Sequence, residues 1–96
     1  MDRELQLHSA PGFDRAVKRL QKNEKLDLDR AVKELAVNPL LGELKKGDLS
    51  SVRVYKFSMV HQQALLAYLY DESEPSLTFI AIGSHEIFYR DLKSRK

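Results

Sequence analysis

His85, Tyr89 and Lys93 recur at four-residue spacing near the C-terminal end of the chain. Gly83 breaks the strand-forming run before them, and Ser84 is a natural N-cap, its hydroxyl able to accept an orphaned backbone N–H. A helix that starts there aligns His85, Tyr89 and Lys93 on one face and leaves Ile87, Phe88 and Leu92 for a core. An imidazole, a phenol and an ammonium along one edge, just past a strand end, are a kit for phosphate chemistry. By type alone each residue also has a structural reading. His85 can be a solvated or hydrogen-bonded structural residue, Tyr89 can pack its ring with the hydroxyl in water, and Lys93, Arg95 and Lys96 can be favourable charge at a helix C-terminus.

Charge distribution adds a second group. From Ser84 onward four bases (Arg90, Lys93, Arg95, Lys96) face two acids (Glu86, Asp91), so this tail carries the whole net charge of +2. Lys45, Lys46, Arg53 and Lys56 form a further basic concentration, which suits a polyanionic partner. Cleaving RNA without a metal needs a base for the ribose 2′-OH, an acid for the leaving 5′-oxygen, and cations for the charge on the phosphorane. An aromatic can also stack on an unpaired base. Lys45, Lys46, Arg53, Lys56, His61, His85, Tyr89 and Arg90 would supply all of these if one sheet face and its flanking helix gathered them. The same surface could grip an acidic protein segment.

Other chemistries lack their residues. His8, His61 and His85 are scattered and belong to no ligand pair at fixed spacing, so no metal or cofactor site is expected. No Gly-Lys-Ser/Thr phosphate loop, GxGxxG or serine-nucleophile motif occurs. The chain has no Cys, which excludes disulfides and thiolate metal sites. No apolar run approaches the ~20 residues of a membrane span, and Met1-Asp2-Arg3-Glu4 lacks a signal-peptide pattern, so the cytoplasm is expected.

The elements that must position these residues read as follows. Ninety-six residues, 43% apolar and 31% charged, suit one globular domain spanning residues 1–96. A short strand covers Leu5 to His8. Ser9-Ala10-Pro11 opens a helix whose Phe13, Ala16, Val17 and Leu20 keep helical spacing to Gln21. Asn23-Glu24-Lys25 reads as a polar break, and a second helix runs from Asp27, its cap, to Val37, ended by Asn38-Pro39. The two helices are expected to pack as an antiparallel hairpin. Residues 40–51 read as a loop. The period then changes to two, with strands at 52–57, 63–70 and 77–82 joined by short connections into an antiparallel meander. The near-continuous apolar run in the second of these suits a central, doubly covered strand. The expected fold is α+β, in the order β-α-α-β-β-β-α, with helices packed on an antiparallel sheet.

This order, together with Leu65-Leu66-Ala67-Tyr68-Leu69-Tyr70 and the segment from Ile82 to Lys93, resembles the RelE/ParE superfamily of bacterial type II toxins over about Leu5 to Lys93. Gly83-Ser84-His85 with Tyr89 four residues on is similar to the Gly-Thr-His-x-x-x-Phe ending of YafQ-like toxins. Lys46-Gly47-Asp48-Leu49 ahead of a Val-Arg-Val strand is similar to other members. The resemblance implies a microbial ribonuclease-like fold that cleaves mRNA on the ribosome and is silenced by a cognate antitoxin wrapped around it. Operator DNA would be reached only through that antitoxin, and no membrane is involved. It also implies catalytic roles for His85 (general acid/base), Tyr89, Lys56 and Arg53, and RNA binding by Lys45, Lys46, His61, Arg90 and Lys93. Ala64 departs from the pattern, because it stands where RelE carries an arginine, and phosphate stabilisation would pass to His61, Gln62 or Arg90. The ParE branch of the same fold poisons DNA gyrase instead, and a non-catalytic antitoxin-binding co-repressor is a third reading.

Overall fold

The computed structural model describes residues 4–45 and 51–84. Five strands form one sheet: β1 (Gln6–Ser9), β2 (Glu43–Leu44), β3 (Arg53–Met59), β4 (Gln62–Asp71) and β5 (Ser76–Gly83). Helices α1 (Pro11–Lys18) and α2 (Lys22–Val37) lie between β1 and β2 in the chain. The spatial order is β1-β5-β4-β3-β2, with β1 parallel to β5 and every other pair antiparallel. The expected meander is thus present as β3-β4-β5. The final helix of the expected order falls on residues outside those described.

β4 is the central strand, and Ala64 to Tyr68 are all buried, as its continuous apolar run requires. Its side chains divide between two clusters. Leu66 and Tyr68 join Phe13 of α1, Leu28 and Leu35 of α2, and Leu77 and Phe79 of β5. Leu65 and Ala67 point the other way and pack with Val52, Val54 and Ala81. A bulge in β5 opposite Ala67 and Tyr68 leaves Ile80 without a partner on β4, so the alternation of β5 inverts there. Leu77 and Phe79 face the helices before it, and after it Ile82 does so while Ala81 faces away.

Three local expectations change. α2 begins five residues earlier than its apolar stripe suggests, and Asn23-Glu24-Lys25 is helical. Glu24 is the reason, for its carboxylate accepts the Gln21 N–H at 2.7 Å and closes one arm of a capping box. Asp27 is therefore inside the helix and caps nothing in it. The 40–51 stretch contributes a short edge strand, β2, paired to β3 through Glu43–Val54 and Leu44–Arg53. Finally, the main backbone approaches are α1 to β5 and α2 to β3 rather than helix to helix, because each apolar stripe finds its area on the sheet.

Candidate functional site

Period-two alternation sorts the basic residues of β3. Val52 and Val54 belong to the cluster on the face away from α1 and α2, whereas Tyr55 and Phe57 pack on the helix side. Lys56 therefore projects on the face away from the helices, where it is exposed. Glu43 is directly opposite Val54 and shares that face. Lys45 Nζ binds Glu43 Oε1 at 2.7 Å. This hydrogen bond, then the Lys45 charge and the more distant Lys56 charge, hold the Glu43 carboxyl below the usual carboxylate range. Two ammonium groups thus flank one carboxylate beside the buried Val54 and Leu65.

The register extends this cluster across the sheet. Lys56 pairs with Leu65, and Leu65 pairs with Gly83 at the end of β5. With neighbouring strands ~4.8 Å apart, the Lys56 and Gly83 backbones lie about 10 Å from each other. Gly83 is two residues before His85 in the sequence. His85, Tyr89, Arg90 and Lys93, and also Lys46, fall outside the described residues.

Arg53 is not brought together with Lys56. It lies on the helix side opposite Tyr68, and its Nη1 donates to the Gly42 carbonyl at 2.9 Å. Gly42 in turn donates its N–H to the Tyr68 hydroxyl at 2.9 Å, and that hydroxyl donates to the Pro39 carbonyl at 2.6 Å. Burial raises the Tyr68 phenol above its ordinary pKa, against the opposing Gly42 hydrogen bond and Arg53 charge. Arg53 and Tyr68 thus hold the segment that leads into Glu43 and Lys45.

His61 occupies the β3–β4 turn with Val60, and with Lys56, Ser58 and Gln63 it lines a shallow cleft of about 220 Å³. Ala64 is buried opposite Phe57, so a larger side chain at this position would need repacking. Sequence reasoning gave no role to Glu43 or to the Tyr68 hydroxyl, and read Asp27 only as a helix cap. Only the Gln21-x-x-Glu24 spacing, which moves the helix start ahead of Asp27, carried a readable signal. Among the described residues no group of three His, Cys, Asp or Glu side chains converges as a metal site. Nor is any described helix long and apolar enough to cross a membrane.

The chain, in the order β-α-α-β-β-β-β with β4 at the centre of a mixed sheet, is matched over residues 7–93 by the sequence model of the ParE-like toxins of type II bacterial toxin-antitoxin systems. The chain belongs to this family. Its fold is that of RelE. A doubly substituted variant of Escherichia coli RelE in the free state superimposes with a TM-score of 0.72 at 16% identity, covering 97% of this chain and 98% of that one. RelE in the intact E. coli RelBE toxin-antitoxin complex gives 0.69 at 16% identity, over 85% and 98%. The RelBE2 toxin-antitoxin complex of Mycobacterium tuberculosis gives 0.68 at 14% identity, over 85% and 99%. At these identities the likeness is one of fold. No curated protein matches the chain in sequence.

Proposed function

We propose that this toxin is a metal-independent mRNA endoribonuclease that acts on the translating ribosome, in the cytoplasm, and is silenced by a cognate antitoxin. The observation that carries the reading is the row Lys56–Leu65–Gly83, in which Lys56 of β3 and the end of β5 that leads to His85 flank the same residue of β4. The antitoxin follows from the family and from the complexed state of the E. coli and M. tuberculosis relatives.

In the proposed reaction the ribose 2′-oxygen loses its proton to a base and attacks the adjacent phosphorus. The P–O5′ bond breaks, and the 5′-oxygen is protonated to a 5′-OH, leaving a 2′,3′-cyclic or 3′-phosphate. His85 is assigned the proton transfer and Tyr89 the stacking or proton-positioning role. Lys56, with Lys45 beside it, offsets the negative charge that develops on the phosphorane. Lys46, His61, Arg90 and Lys93 are assigned to the RNA backbone and bases. Arg53 has its guanidinium on the Gly42 carbonyl, which supports a role in holding the Lys45 segment instead of contacting phosphate.

The test is controlled expression of the chain without antitoxin, with primer extension on a reporter mRNA, beside His85→Ala and Lys56→Ala. New cleavage sites inside translated regions that vanish in His85→Ala are expected, with a rate loss of ~10²–10⁴. Growth arrest with intact mRNA and damaged DNA would replace the reading with gyrase poisoning, the activity of the ParE branch. Absence of arrest would leave an antitoxin-binding co-repressor.

A further inference from the structure

Val60 and His61 form a two-residue hairpin turn between Met59 and Gln62, and both have positive φ, 51° and 66°. Two-residue turns of this kind favour Asn-Gly, since L side chains are strained there and a β-branched one most of all. The strain is met by a contact from outside the hairpin. Asp27 on α2, 33 residues away in sequence, accepts the Val60 N–H on Oδ2 at 2.8 Å. Asp27 Oδ1 lies 3.4 Å from Arg30 Nη1, so the carboxylate is itself held. The exposed imidazole that results shares its cleft with Lys56, Ser58 and Gln63, at the end of the sheet where β5 terminates at Gly83.

We propose that this turn is a substrate-contact element in which His61 meets an unpaired RNA nucleotide beside the Lys56 cluster. Asp27 is then a positioning residue that acts through the Val60 amide. The inference rests on the ribonuclease reading, in which His61 is assigned to RNA, and adds to it the residue that fixes the direction of that side chain, Asp27 acting through the Val60 amide. A turn chosen for stability alone would carry glycine at its second position. Histidine there is consistent with a side chain retained for contact, and Asp27 with a device that keeps its direction fixed.

The test is mRNA cleavage in a reconstituted translation reaction, read with the thermal midpoint of each variant of the full chain. His61→Gly is expected to raise Tm by about 5 °C while relieving the strained position, and to slow cleavage about tenfold, the scale of one lost base contact. Val60→Asn, which relaxes the turn but keeps His61, should raise Tm and slow cleavage less than His61→Gly does. Asp27→Ala should slow cleavage, and Asp27→Asn, whose amide oxygen still accepts the Val60 N–H but cannot pair ionically with Arg30, should restore it. Full cleavage by His61→Gly alongside loss in Lys56→Ala would overturn the role of the turn and leave the ribonuclease intact. No rescue by Asp27→Asn would overturn the positioning role. No cleavage by the unaltered chain would overturn the RNA assignment of the whole face, turn included.

Discussion

The Tyr68 hydroxyl accepts the N–H of Gly42 at 2.9 Å from a ring that is itself completely buried. The central strand thereby reaches past β3 to grip the segment between α2 and β2. With its own proton given to Pro39, the phenol satisfies two backbone groups that would otherwise be orphaned, and Lys45 begins three residues after the grip.

Tyr68→Phe keeps the ring and removes the hydroxyl. It leaves the Gly42 N–H and the Pro39 carbonyl without this partner, so a loss of about 1–3 kcal/mol is expected. Urea unfolding monitored by circular dichroism would show it as a lower midpoint with an unchanged slope. An unchanged midpoint would mean that water replaces the hydroxyl at no cost.

Gly42→Ala should cost a similar amount for a steric reason. A Cβ at Gly42 would sit 2.6 Å from the Tyr68 hydroxyl oxygen and 2.7 Å from its ring. Overpacking of this kind typically costs about 1–3 kcal/mol. The double variant Gly42→Ala/Tyr68→Phe should be less destabilised than the sum of the two, because both changes act at one contact.

Arg53 and Lys56 are three residues apart on one strand, and opposite effects are expected of them. Arg53→Met removes the bond to the Gly42 carbonyl and should lower stability by about 1–2 kcal/mol, with cleavage by the folded fraction kept within a few-fold. Lys56→Ala should leave stability within about 0.5 kcal/mol and cut cleavage by about 10². Thermal melts set beside reporter-mRNA cleavage separate the two, and a catalytic loss in Arg53→Met at unchanged stability would reverse the assignment.

Tyr55 ties β3 to α2 by donating to Glu34 Oε2 at 2.6 Å. This hydrogen bond, with smaller contributions from burial and the Glu34 charge, pushes the phenol up to about 12 from an ordinary 10.0. A raised pKa in the folded state means that the folded chain holds a proton the unfolded chain releases. The stabilisation is fully present below pH 10 and is lost as pH rises from about 10 to about 12. Melting temperature against pH should therefore fall over that window, and Tyr55→Phe should flatten the fall.

Much of the architecture was legible in the chain because it is written locally. Apolar residues at helical spacing mark α1 and α2, and period-two alternation marks β3 to β5 with short polar connections between them. The continuous run from Ala64 to Leu69 marks the strand that is covered on both faces. The start of α2 was obscured because Asn23-Glu24-Lys25 has the composition of a loop, although Glu24 stands where a capping box needs it.

The division of the basic residues could not be read in this way. Sequence spacing determined that Arg53 and Lys56, an odd interval apart, lie on opposite faces of any strand that contains both. Only the tertiary structure decided which face was which, because that depends on where α1 and α2 dock. The bulge at Ile80 is likewise a matter of register between β4 and β5, set by pairing and not by local preference. Asp27 on α2 and Val60 in the hairpin meet for the same reason. Local periodicity specifies elements and their apolar faces, whereas contacts 26 and 33 residues apart exist only once those faces have packed.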